Sequence, residues 1–155
     1  MYETVILAIL NQIRKYKDIQ IVQEKMAASQ TKRPFFSYAI YDDAQELTSL
    51  PYDHAPFLMG VQFKAHADDD FEAKDLAKWV RDIIQSKQPS YELALQGISV
   101  VKANAMPPLN EDWTTEIEYM AGADFQLLVN SDYVDQTQPG QITGVDLDQS
   151  TIGGN

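Results

Sequence analysis

Residues 61–86 read VQFKAHADDDFEAKDLAKWVRDIIQS, and their character changes once, at three consecutive aspartates. Before them the chain alternates. The odd positions Phe57, Met59, Val61, Phe63 and Ala65 are apolar, while the even positions include Gln62, Lys64 and His66. That period of two belongs to a strand with one buried face. After the aspartates the period becomes helical. Leu76, Trp79, Val80, Ile83 and Ile84 fall on one face, and Lys74, Lys78, Arg81 and Asp82 lie off it. The aspartates therefore stand at a strand-to-helix seam. Asp69 is placed to cap the helix, and Glu72 three residues later completes a capping box. Asp68, Asp69, Asp70 and Glu72 all sit near the positive end of the helix dipole, where each contributes about 0.3–1 kcal/mol.

The same stretch admits a chemical reading, in which His66, Asp68 and Asp70 hold a divalent cation. Its spacing argues against it. A calcium loop needs acids at alternate positions with a central glycine, and zinc hydrolases of the helical type need two histidines four apart. Here the acids are consecutive, and the second histidine, His54, lies in a loop. No metal and no cofactor is expected. His66 falls on the polar face of its strand and is expected to face solvent or a subunit contact. None of the eight serines lies in G-x-S-x-G, and there is no phosphate-binding glycine loop. Glu116 and Glu118 share a strand face, about 7 Å apart by strand rise. Such a pair suits acid/base work but also an ordinary acidic surface, and no catalytic residue is assigned.

Outward from the seam, Val5, Ile6, Ile9, Leu10, Ile13 and Tyr16 predict an amphipathic helix over residues 2–16, with Lys15 and Lys17 near its end. Ile19, Ile21 and Val22 suit a short strand. PFFSYAIY predicts a strand from Phe35 to about Tyr41, led by Pro34. Residues 42–56 read as a long polar connection. Pro89 marks the stop of the helix after the seam, and a linker follows to Gly97 and the strand ISVVKAN. Residues 115–129 alternate again, with Gly122 a candidate bulge or bend. The expected class is α+β: a mainly antiparallel sheet of about four strands, two helices on one face, long loops and an extended C-terminal tail. Residues 1–130 form the expected domain, and residues 131–155 a polar acidic tail.

A chain of 155 residues fits one domain, and at that length folding buries about 70% of the chain's surface. Cysteine is absent, which excludes disulfides, thiolate metal sites and thiol nucleophiles. No apolar run approaches the span of a bilayer, and the first residues do not read as a signal peptide. The formal net charge is −11, and residues 103–155 carry nine acids with no Lys or Arg. A chain so charged does not grip nucleic acid through phosphates. Such an acidic third is expected either to serve solubility alone or to face a basic partner or something it must not hold.

Four segments in this order carry a resemblance: Arg33–Tyr38 (RPFFSY), Phe63–Ala73 (FKAHADDDFEA), Gly97–Val101 (GISVV) and the alternating acidic strand Glu116–Phe125. Together they resemble the neck or tail-terminator proteins of long-tailed bacteriophages, over roughly residues 1–130. The resemblance implies a structural virion protein without catalysis, assembled in the host cytoplasm. Such proteins form a ring, usually hexameric, that caps the tail tube and offers a docking surface to the head connector. Its partners are then further copies of itself, the tail tube protein and the connector or adaptor protein. Genomic DNA passes through the lumen without specific binding, and no membrane is involved. Glu116, Glu118 and Asp124 are the candidate lumen lining, repelling phosphates. Tyr52, His54, His66 and Trp113 are the candidate assembly contacts, with strand edges available for pairing. A head-completion or connector-adaptor protein of the neck is the nearest alternative. A small divalent-metal hydrolase using His66, Asp68 and Asp70 is a further one, and an acidic mimic of DNA another.

Overall fold

A computed structural model describes residues 1–27, 32–106, 111–112 and 117–137. In chain order the elements are α1 (Tyr2–Tyr16), β1 (Gln20–Gln23), a 3-10 turn (Glu24–Met26), β2 (Phe35–Glu46), β3 (Pro56–Ala67), α2 (Asp70–Gln85), α3 (Lys87–Leu95), β4 (Ile98–Met106), β5 (Glu111–Asp112) and β6 (Ile117–Asn130). The class is α+β. The main sheet runs β1-β2-β3-β6-β4, and β5 pairs with the start of β6.

The two strictly alternating stretches become the central pair. β3 and β6 run antiparallel without a register shift from Pro56↔Asn130 to Ala67↔Tyr119. Their odd positions are buried: Phe57, Met59, Val61, Phe63 and Ala65 on β3, and Ala121, Ala123, Phe125, Leu127 and Val129 on β6. Phe63 meets Phe125 edge-on, with ring centroids 5.8 Å apart, a geometry that adds about 0.5–1.5 kcal/mol to the burial itself. All three α-helices lie on this face. α1 contributes Val5, Ile6, Ile9, Leu10 and Ile13, α2 contributes Ala73, Leu76, Ala77, Val80 and Ile84, and α3 contributes Leu93. Each Leu, Ile or Val so buried stabilises the fold by about 1.5–3 kcal/mol.

Several expectations are corrected. The sheet has five strands in its main path rather than about four, and it is mixed, because β1 pairs parallel with β2 through Gln20↔Phe35 to Gln23↔Tyr38. β2 does not stop near Tyr41 but runs to Glu46 through two register shifts, so the connection to β3 covers residues 47–55 only. Bulges let the polar stretch DDAQE keep pairing with β3 where strict alternation fails. Among the described residues there are three α-helices rather than two. Pro89 does not end a helix; it sits in the first turn of α3, where its missing N–H has no intrahelical partner to lose. Gly122 is not a bulge, since β3 and β6 stay in register across it. It lies under Met106, whose Sδ would be 2.4 Å from an added Cβ.

Candidate functional site

The even positions of β3 and β6 form the second face of the sheet, and no α-helix packs there among the described residues. Register places Phe35 beside His66, Ser37 beside Lys64, His66 beside Met120 and Gln62 beside Asp124. This face has two regions. Around His66 it is closed: Phe35, Ser37, His66 and Met120 are all buried, although none but Ser37 and His66 is polar. From Lys64 towards Leu128 it is partly exposed.

His66 is only 7% exposed, which corrects the expectation that it faces solvent or a subunit contact and takes it out of the candidate assembly contacts. Strand parity put it on the polar face, but Phe35 stacks on its ring at 4.3 Å with a 3° interplanar angle. Its Nε2 lies 2.7 Å from Ser37 Oγ, and its Nδ1 lies 2.9 Å from Glu118 Oε1. The carboxylate can only accept, so Nδ1 carries the proton of that bond. One imidazole thus ties side chains of β2, β3 and β6.

The order Ser–His–acid is also that of a nucleophile with its base and orienting carboxylate. The surroundings do not complete such a site. Ser37 is 1% exposed and sits in a strand paired on both sides, with Val22 of β1 and Lys64 of β3. Its neighbouring backbone donors serve those ladders, so none converges on an oxyanion position. Two open surface cavities, of about 410 and 510 Å³, lie instead between the end of α1 and the start of α2, and Ser37, His66 and Glu118 line neither. The arrangement is a cross-strand polar tie.

The aspartates resolve one by one. Asp69 caps α2, its carboxylate accepting from the Glu72 N–H at 3.1 Å. Asp68 pairs with Arg33 Nε at 2.6 Å, and Asp70 with Lys74 Nζ at 2.6 Å one turn along the helix. His66, Asp68 and Asp70 therefore point to three different partners. No group of three possible metal ligands occurs among the described residues.

Of the candidate lining acids, Asp124 lies half-buried on the second face and accepts from Gln62 Nε2 at 3.2 Å. Tyr41 crosses the face over Gly60. Partial burial raises its phenol above the usual range, as do the nearby charges of Asp124 and Asp42. Lys64 on the same face is ion-paired with Glu24. Glu118 shares the face but is engaged by His66, and Glu116 lies outside the described residues. Of the candidate assembly contacts, Tyr52 and His54 are exposed in the connection between β2 and β3, and Trp113 lies outside the described residues. His54 is held by two bonds to the chain after β6: its N–H donates to Tyr133 O at 2.9 Å and its Nδ1 donates to Ser131 O at 3.0 Å. Sequence reasoning missed Ser37 and Glu118 as partners of His66, and missed Ser131 and Tyr133 beside His54. The signal for the first pair is parity. Once β2, β3 and β6 are aligned, all three residues share one face.

No family model matches the chain, and none of the curated proteins is similar enough to it to count as a relative.

Proposed function

We propose that the chain is a ring-forming structural protein of a bacteriophage neck, closing the tail tube and meeting the head connector while DNA passes through its lumen. The observation that carries this reading is the one-sided sheet. Among the described residues three helices cover one face, and the other leaves Asp124, Gln126, Asn104 and Lys102 along neighbouring strands with no helix over them. A subunit built this way lines a lumen with strands and keeps its helices outside. The sheet also ends in free edges that suit contacts between copies. Among the described residues, β4 is paired on one side only, and β2 beyond Tyr38 has no partner on the side of β1. Of the three acids expected to repel phosphates, Asp124 is the described one with an accessible carboxylate on that face. The resemblance in the segments around Arg33–Tyr38, Phe63–Ala73 and Gly97–Val101 points the same way.

Electron microscopy of phage lacking this gene product, alongside the purified protein with its tube partner, tests the reading. Tubes of uncontrolled length, restored to normal by added protein that appears as a ring, are the expected result. Normal tails beside filled, unjoined heads would move the protein to the connector side. Particles without rotational multiplicity would overturn the ring.

A further inference from the structure

The end of the molecule where β6 stops carries a surface that includes Tyr52 and His54, two of the candidate assembly contacts. Residues 47–55 and residues 131–137 run side by side there, joined by two backbone bonds and one to a side chain. His54 N–H donates to Tyr133 O, Ser131 N–H donates to Ala55 O at 3.2 Å, and Asp135 N–H donates to the Asp53 carboxylate at 2.7 Å. His54 holds φ at 57°, a region uncommon for a residue with a Cβ, and two bonds to the partner segment keep it there. The two segments present a fixed shape, which lowers the ordering cost of binding.

What they present combines exposed apolar side chains with acidic ones. Leu50 is 76% exposed and Tyr52 51%, and Tyr133 and Val134 are exposed beside them. Glu46, Asp53, Asp132 and Asp135 lie in these two segments or next to them in the chain, and no Lys or Arg occurs in residues 34–63 or 103–155. Desolvation and the charges of Asp135 and Asp53 raise the Tyr133 phenol. Because His54 Nδ1 donates inward, the neutral ring turns an accepting Nε2 outward. The charge here is mainly negative, with the Met1 ammonium 3.9 Å from the Asp132 carboxylate.

We propose that this end is a docking surface for a second protein whose contacting face sets Lys or Arg side chains around an apolar centre. Aromatic anchors within a charged rim are the anatomy of such contacts. A second copy of this chain does not fit. Its lysines and arginines at the opposite end, Lys17, Lys25, Lys32 and Arg33, are interspersed with Asp18, Glu24 and Asp68 to Asp70. The proposal is independent of ring formation, since a single chain presents the whole surface.

Titration of the full chain with a synthetic peptide alternating Leu and Lys, read by backbone amide shifts, tests it. A lysine homopeptide of equal charge is the control. The alternating peptide is expected to saturate, to shift residues 50–54 and 131–135, and to bind at least roughly tenfold tighter than the homopeptide. Leu50→Ser and Tyr133→Ser should each weaken it by roughly tenfold, and Glu46→Lys with Asp132→Lys should remove saturation. Equal affinity for both peptides, or shifts centred elsewhere on the unsubstituted chain, would overturn the proposal without recourse to any variant.

Discussion

His66 and Gly122 show how single residues hold this sheet. His66 bonds Ser37 and Glu118 and stacks on Phe35. His66→Ala removes that stack and takes from two enclosed polar groups their imidazole partner. Leaving a buried group unsatisfied costs about 1–3 kcal/mol, so the substitution should destabilise by about 2–4 kcal/mol. Ser37→Ala removes one bond and should cost about 1 kcal/mol. Urea unfolding of both variants checks the order. Equal and small losses would mean that the tie contributes little. Gly122→Ala tests a different contact, because the new Cβ would meet Met106 at Sδ, Cβ and Cγ within 3.0 Å. Overpacking of that kind costs about 1–3 kcal/mol. Shortening Met106 to Ala in the same chain should recover most of the loss, which a thermal melt of the double variant reads directly.

Among the elements, α2 is the one whose start rests on a single cap. Asp69→Ala should cost about 1 kcal/mol, within the 0.5–2 kcal/mol usual for caps, and Asp68→Ala, an exposed ion-pair partner, should cost less. Comparing their denaturation midpoints checks this. α3 is joined to α1 through Glu92, which accepts from Gln12 at 2.8 Å, from Gln88 and from Lys15. Those bonds, led by Gln88, lower its carboxyl from 4.5 to about 2. A depressed carboxyl stabilises the fold above its unfolded value and loses that contribution as pH falls from about 4.5 towards 2. The melting difference between the native chain and Glu92→Gln should therefore be present at neutral pH and vanish near the acid end. A difference that is flat across that range would rule out the linkage. α1 and α2 were legible because their apolar faces repeat without interruption and a cap or basic last turn marks an end. α3 was not, since Pro89 signals a stop equally well as a first turn, and Leu93 is its one buried aliphatic. The extension of β2 to Glu46 was hidden for a related reason: bulges break the alternation on which a strand is read.

For the molecule as a whole, period two in β3 and β6 sufficed to read which sheet face packs against helices. The state of the other face was not legible. Parity assigned His66, Gln62 and Asp124 to one side, but only the fold separates the closed region at His66 from the partly exposed region at Asp124. This separation changes what the lining idea requires. Glu118 is committed to an imidazole and Lys64 to Glu24, so the field over the second face rests on Asp124 more than on a row of equal acids. In a ring, one substitution is repeated in every copy. Asp124→Lys would then replace a band of negative charge by a band of lysines facing the duplex. Lysines that engage phosphates release counterions, so binding weakens steeply with salt. If the proposed ring is right, phage carrying Asp124→Lys should assemble normally, because among the described residues Asp124 keeps one side-chain bond, to Gln62. Their DNA release should be slow at low salt and approach the native rate as salt rises, measured by ejection triggered in vitro. The native particle should show less salt dependence of this kind, because the cations it has on that face are Lys102 and Lys64, the latter already ion-paired with Glu24. Equal release from both particles at low salt would place Asp124 away from the path of the DNA and remove the main electrostatic support for that face as a lumen.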